Sequence, residues 1–434
     1  MQIAPTVAEL LGGDLPVAVE AYDGSRAGPP DATTTLVVRG PAAIRRILAA
    51  PGELGFGRAY VAGDLEVCGD MYDALRLRDS MPDVRLGAGQ WLLLARLGRE
   101  VGLLPIPTPP PEEIRLRGRP HSRERDRAAV SYHYDVSPAF YRLVLGPSLT
   151  YSCAVFDRPD ASLEDAQAAK HELVAGKLAL RPGMRLLDVG CGWGSMLLHA
   201  ATERGVRGVG VTLSQRQADV ARKRVAEAGV TDLVEIRVAD YRDVDDGPYD
   251  AISSIGMFEH VGRQRLREYF DRLHALLAPG GRLLNHGISR PARPREEAVG
   301  ARARRTLEGV ARSVPGVPLR PALGTFVQHY VFPDGELHEV GAVVSSIQGA
   351  GFEARHVESL REHYARTLRR WVANLEAGWD EAVDEVGENR ARIWRLYMAA
   401  SAINFEAGRT SIHQVLAVKP DGPSSGMPLR PDWT

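Results

Sequence analysis

Lysine is almost missing from this chain. Of its 54 basic residues only four are lysine, at 170, 177, 223 and 419; the rest are arginine. Such a balance reflects the base composition of a GC-rich genome, and no function is read from it. Cysteine is scarce as well: Cys68, Cys153 and Cys191 are the whole supply in 434 residues. An odd, widely spaced trio excludes a disulfide framework and a zinc cluster of familiar spacing, so no metal site is expected. A reducing, cytoplasmic compartment fits that usage. No run of about 18 apolar residues occurs, which excludes a membrane span of that kind. Residues 1–25 lack a basic stretch followed by a long apolar one, so no signal peptide is expected. A net charge of −1 excludes a general nucleic-acid binder. Any membrane contact is therefore expected to be peripheral.

What is present divides the chain. Residues 1–103 read as a small α+β domain, with "TTLVVRG" (34–40) alternating like a strand and "PAAIRRILAA" (41–50) spaced like a helix with proline at its start. Residues 104–128 combine a proline run with basic charge and read as a linker. From 129 to 419 short apolar strands alternate with helices: "MRLLDVG", "VRGVGVTLS", "LVEIRVADY", "YDAISSIGM" and "GRLLNHGI" are the strands. That alternation predicts an α/β fold with a parallel-rich sheet covered on both faces. "GFEARHVESL" and "IHQVLAVKP" add late strands, and residues 420–434 read as a flexible tail. Within this domain, 289–321 carries eight arginines against three acids. It reads as a solvated insertion or as a surface for anionic headgroups or an acidic partner.

"LLDVGCGWGS" (186–195) is a strand, a glycine-rich turn and a helix start. Glycines 190, 192 and 194 allow close backbone approach to a ligand, and the helix start offers free N–H groups. This turn alone would equally suit a dinucleotide. Three neighbours favour S-adenosylmethionine (SAM). Asp188 is placed to take an amino-acid ammonium. The next strand ends in "GVTLSQRQ" without a lone ribose-gripping acid, so Thr212, Leu213 and Gln217 are assigned to the ribose and one adenine face. The third strand ends in "ADYRD", which brings Asp240 and Tyr241 to the base.

The ordered motifs "HYDVSPAFYRLVL" (133–145), "TYSCAVF" (150–156), "DVGCGWG" (188–194), "DYRDV" (240–244), "GMFEHVG" (256–262), "NHGI" (285–288), "HYVFPDGEL" (329–337) and "HYARTLRRW" (363–371) resemble the cyclopropane-fatty-acyl-phospholipid synthases and mycolic acid methyltransferases. The resemblance implies a Rossmann-like class I SAM methyltransferase domain with a seven-stranded sheet. It implies methyl transfer to a cis double bond of a phospholipid acyl chain, with a bound bicarbonate ion as base. Cys153 and Ile288 (through backbone groups), Glu259, His286 and Tyr364 match the bicarbonate holders. Tyr151, Ser152, Gly194 and Ile255 complete the cofactor set. His260, beside Glu259, is left a structural role at a helix start. "LGFGRAYVAGDLEV" (54–67) extends the resemblance to the N-terminal domain, which implies lipid engagement and a homodimer at the inner face of the membrane.

Three departures narrow the branch. "NHGI" stands where the family often has "LHTI". "INFEAGRTSIHQVL" stands where a Cys/Ser-Ala-Gly helix and "LWQVV" are common. The arginine-rich insertion has no counterpart in the shorter synthases. These features are most similar to the actinobacterial fatty-acid methyltransferases that convert oleoyl chains to 10-methylene products on the way to tuberculostearic acid. Saturating that product would need a separate reductase. Ring closure to a cyclopropane is the alternative outcome. A heteroatom methyltransferase and a non-catalytic SAM-binding subunit are the competing readings.

Overall fold

A computed structural model describes residues 2–433 apart from 14, 51, 81–87, 103, 115, 117, 120, 135 and 293–324. The basic stretch from 293 to 321 thus lies outside the described residues. The chain forms two compact units, one of residues 1–115, 292–331 and 387–403, the other of 116–291, 332–386 and 404–434.

In the first unit, β1 (Ala18–Ala21), β2 (Arg26–Ala27), β3 (Thr35–Val38) and β4 (Leu65–Cys68) form a sheet in the order β2-β1-β3-β4. Helices Pro41–Ala49 and Ala88–Val101 supply Ala43, Ile44, Leu97 and Val101 to its core. Two later segments join this unit, where the sequence reading had a continuous second domain. Buried Arg392 explains one: its guanidinium donates to the Tyr60 carbonyl at 3.1 Å and to Glu66 at 2.7 Å. Phe326 explains the other, its ring filling the space that a side chain at residue 57 would need, so that Gly57 must stay bare. His329 and Tyr330 add contacts to Glu113.

The second unit holds β5 (Arg185–Val189), β6 (Arg207–Thr212), β7 (Val234–Val238), β8 (Tyr249–Ile255), β9 (Leu277–Ser289), β10 (Glu353–Ser359) and β11 (Ser411–Val418). They form one seven-stranded sheet in the order β10-β11-β9-β8-β5-β6-β7. β7, β6, β5, β8 and β9 run parallel, and β11 is antiparallel to both its neighbours. The two-residue period of a strand sends Leu186 into one apolar layer and Leu187 and Val189 into the other. Each such side chain contributes roughly 1.5–3 kcal/mol by burial. This is the Rossmann-like class I methyltransferase architecture that the strand pattern and the resemblance led one to expect.

Two boundaries differ from the sequence reading. The helix Arg123–Tyr134 begins inside the expected linker. The expected flexible tail folds back: the Gly426 carbonyl accepts from Arg282, and the Trp433 ring lies 5.4 Å from His356.

β9 ends in the "NHGI" stretch, and its glycine has a steric cause. A Cβ on Gly287 would stand 1.8 Å from the Phe258 ring. The bare backbone leaves room for that ring beside β9. Gly287→Ala is expected to cost about 1–3 kcal/mol by overpacking. Denaturant unfolding would measure it, and adding Phe258→Leu should recover part of the loss.

Candidate active site

At the carboxyl ends of β5, β6, β7 and β8, where open parallel sheets receive ligands, lies a cavity of about 170 Å³. Tyr151, Ser152, Asp188, Gly190, Gly192, Thr212, Leu213, Gln217, Asp240, Tyr241 and Ile255 line it. Gly194 does not: it caps the helix Ser195–Arg204 and packs toward Ala221. Gly190 has φ +77°, and a Cβ there would meet Met257 at 2.9 Å, so the turn stays flush with the cavity floor. The Thr212 hydroxyl donates to Gln217 Oε1 at 2.8 Å, which leaves the Gln217 amide nitrogen beside Gly192. Asp188 is buried and accepts from Ser253 Oγ at 2.6 Å. Burial pushes its carboxyl up to about 6, against the pull of Ser253 and of the Lys170 charge. Asp240 is already occupied: burial would raise it, but bonds from Arg242 at 2.7 and 2.5 Å hold it below its ordinary value.

One strand over, four of the five residues matched to an anion site are joined through a chain of bonds and strand pairing. Glu259 lies on a 3₁₀ turn just after β8. Its Oε1 accepts the Ile288 N–H at 2.7 Å, and Ile288 pairs with Ile412 on β11. The Ile412 carbonyl accepts the Leu360 N–H at 2.9 Å. The Leu360 carbonyl faces the buried Cys153 thiol at 3.7 Å and starts the helix that carries Tyr364. Burial raises the Cys153 thiol well above its ordinary value, so it is no nucleophile. The Ile288 N–H is spent on aiming Glu259.

His286 sits opposite Gln414 in the β9–β11 register. Lys177, fully buried, donates to Gln414 Oε1 at 2.7 Å. Gln414 must then present its NH₂ to His286 Nδ1, 3.1 Å away. Nδ1 is therefore an acceptor and the ring proton is on Nε2. Burial, with the charges of Lys170 and Lys177 nearby, holds His286 well below its ordinary pKa, so the ring is neutral. Its Nε2 and Glu259 Oε2 are both buried without a partner among the described residues. Burial raises Glu259 to about 7, against the pull of the Ile288 bond. A neutral carboxyl and a neutral imidazole N–H are both donors, the set that holds a small anion.

Residues 121–415 match the family described as mycolic acid cyclopropane synthetase. The chain is 45% identical to a probable fatty acid methyltransferase of Mycobacterium tuberculosis over 97% of its own length and 95% of the relative's. It is 38% identical to a probable fatty acid methyltransferase of Pseudomonas putida, covering 96% and 95% of the two chains. Among solved structures, mycolic acid cyclopropane synthase CmaA1 complexed with SAH and CTAB superposes with TM-score 0.58 at 35% identity, covering 67% of this chain and 97% of that one. The chain belongs to the mycolic acid cyclopropane synthetase family.

For a member of this family the cavity fits SAM. It has a glycine floor, a buried carboxylate for an ammonium and an aromatic ring, Tyr241, for the base. The matched segment starts at 121, and the helix from Arg123 brings Asp126, which the sequence reading assigned to linker, to the cavity together with Ala129 and Val130. His260 also lines the cavity, and burial depresses its imidazole to about 4; it is more than a helix-start residue. Lys170, Trp193 and Met257 were missed as well. Glu259 gives a test that needs no substrate. A carboxyl raised from 4.5 to about 7 binds its proton more tightly in the folded state, so its contribution falls as pH rises through that window. Stability of wild type relative to Glu259→Gln should fall by about 3 kcal/mol between pH 4.5 and 7.5, measured by urea unfolding at several pH values.

Proposed function

We propose that this family member transfers the SAM methyl group to the cis double bond of an unsaturated phospholipid acyl chain, oleoyl by preference, and yields a 10-methylene chain. The observation that carries it is the dry donor pair, Glu259 Oε2 and His286 Nε2, one strand from the cofactor cavity. Methylating a nitrogen or oxygen needs no such site, because the proton leaves from a heteroatom. An alkene has no proton to release on attack and is left as a carbocation. Bicarbonate, when bound, supplies negative charge and a base beside that cation.

The chain's own residues do the rest. Glu259 and His286 hold the ion by donation, and Gln414 keeps the His286 proton on Nε2. Gly190 and Asp188 seat the amino-acid end of the methyl donor, and Thr212 and Gln217 its ribose. The buried Tyr364 and Phe405 rings, 4.8 Å apart, offer π-faces that favour a nearby cation. Low-dielectric surroundings make each of these attractions larger than in water. After methyl transfer, a hydride shift followed by proton loss from the new methyl gives the methylene. Loss of a methyl proton to the base as that carbon closes onto the cation, with no hydride shift, gives a cyclopropane instead. Substrate in a bilayer requires peripheral contact with the membrane, and no described helix is long and apolar enough to cross one.

Incubation with SAM, bicarbonate and dioleoyl phospholipid vesicles should add one CH₂ to the acyl chains by mass spectrometry. Olefinic proton signals would mark the methylene product, and resistance to mild hydrogenation the ring. No added mass with any unsaturated lipid would end this reading. Gln414→Leu should lower turnover about tenfold, the value of one buried hydrogen bond, and raise the bicarbonate concentration needed, with SAM affinity unchanged.

A further inference from the structure

Lys170 is one of the four lysines in a chain that otherwise uses arginine. It belongs to the helix Leu163–Lys177, is 1% exposed and lines the cofactor cavity. It makes neither an ion pair nor a hydrogen bond with any described residue. A buried ammonium without a partner is costly unless something else supplies the countercharge. Burial depresses it to about 8, opposed by the charge of Asp188. Asp188 lines the same cavity and is likewise buried, yet the two do not meet in a contact pair. The cavity therefore presents one positive and one negative group: Lys170 has no partner among the described residues, and Asp188 keeps acceptor capacity beyond its bond from Ser253.

We propose that Lys170 and Asp188 form a split receptor for the α-amino-acid head of the cofactor, Lys170 taking its carboxylate and Asp188 its ammonium. This rests on the SAM reading of the cavity. An anion held at Glu259 and His286 is the other source of carboxylate-like charge, since the Lys170 charge is also felt at Cys153 and His286. The cofactor head is the better partner because Lys170 lines the cavity with Asp188, whereas Cys153 and His286 do not.

Calorimetry on the full chain with S-adenosylhomocysteine and its decarboxylated analogue tests the assignment. Wild type should prefer the carboxylate-bearing ligand by about 10- to 100-fold, the range of a hydrogen bond to a charged group. Lys170→Met should lose that preference while binding the decarboxylated analogue as before, which also shows that the variant is folded. Two results overturn the proposal: the preference survives in Lys170→Met, in which case a raised bicarbonate requirement for turnover assigns Lys170 to the small anion; or both ligands are lost equally, which assigns it to packing. Wild type that binds neither ligand removes the SAM reading itself, and the receptor with it.

Discussion

Where β8 stops, the next backbone donor of β9 has no strand to meet. Gly256 N–H makes the last bond across, to the His286 carbonyl, and the Ile288 N–H two residues on is left over. Glu259 fills that position with its carboxylate. An unpaired buried N–H would cost about 1–3 kcal/mol, so the sheet itself demands an acceptor there. Meeting the demand with a side chain rather than a backbone carbonyl leaves a second oxygen to spare. The same bond that closes the sheet leaves Glu259 Oε2 buried with no partner among the described residues. Phe258 can reach its seat against β9 because residue 287 carries no side chain.

The buried charges are arranged with equal economy. Lys177 is neutralised by Glu358 and uses a second proton to fix Gln414, which fixes the tautomer of His286. That relay passes orientation from an ammonium to an imidazole without passing a proton. Lys170 stands closer to the cofactor cavity and has no such partner. Both lysines come from one helix, seven residues apart, two turns at 3.6 residues each, so they share a face toward the sheet.

Most of the sheet was legible because its strands are short apolar runs ending in glycine or turn residues, and burial on both faces forces that pattern. The cofactor turn was legible because few sequences besides a ligand-binding one need so many glycines between a strand and a helix. The proposed anion site was not legible from residue types. Cys153, Glu259, His286 and Tyr364 are far apart in sequence and each would serve as an ordinary core or surface residue; only the family resemblance grouped them. Gln414 escaped notice because its role depends on β11 entering the sheet antiparallel beside β9, a fact of topology. Lys170 and Lys177 did leave a mark. In a chain that places arginine at nearly every cationic position, a lysine on the apolar side of a helix is out of pattern. The scarcity was read as base composition, which explains the arginines and says nothing about the lysines that remain.

On the proposed reading Glu259 holds the base and is not itself the base. Burial drives Glu259 toward its neutral form near pH 7, and His286 is held neutral with its free edge a donor. The protein therefore offers two hydrogen-bond donors and no permanent negative charge at the place where a carbocation would form. A resident ionised base would have to bear its desolvation cost throughout the cycle, and the fold would lose that stability whether or not substrate was bound. An anion taken from solution enters only when donors are ready for it, and it can leave carrying the proton it has accepted. On the proposed reading, the raised Glu259 and the fixed His286 tautomer are two halves of one requirement: the site must be uncharged when empty so that the charge it borrows is the one that does the chemistry.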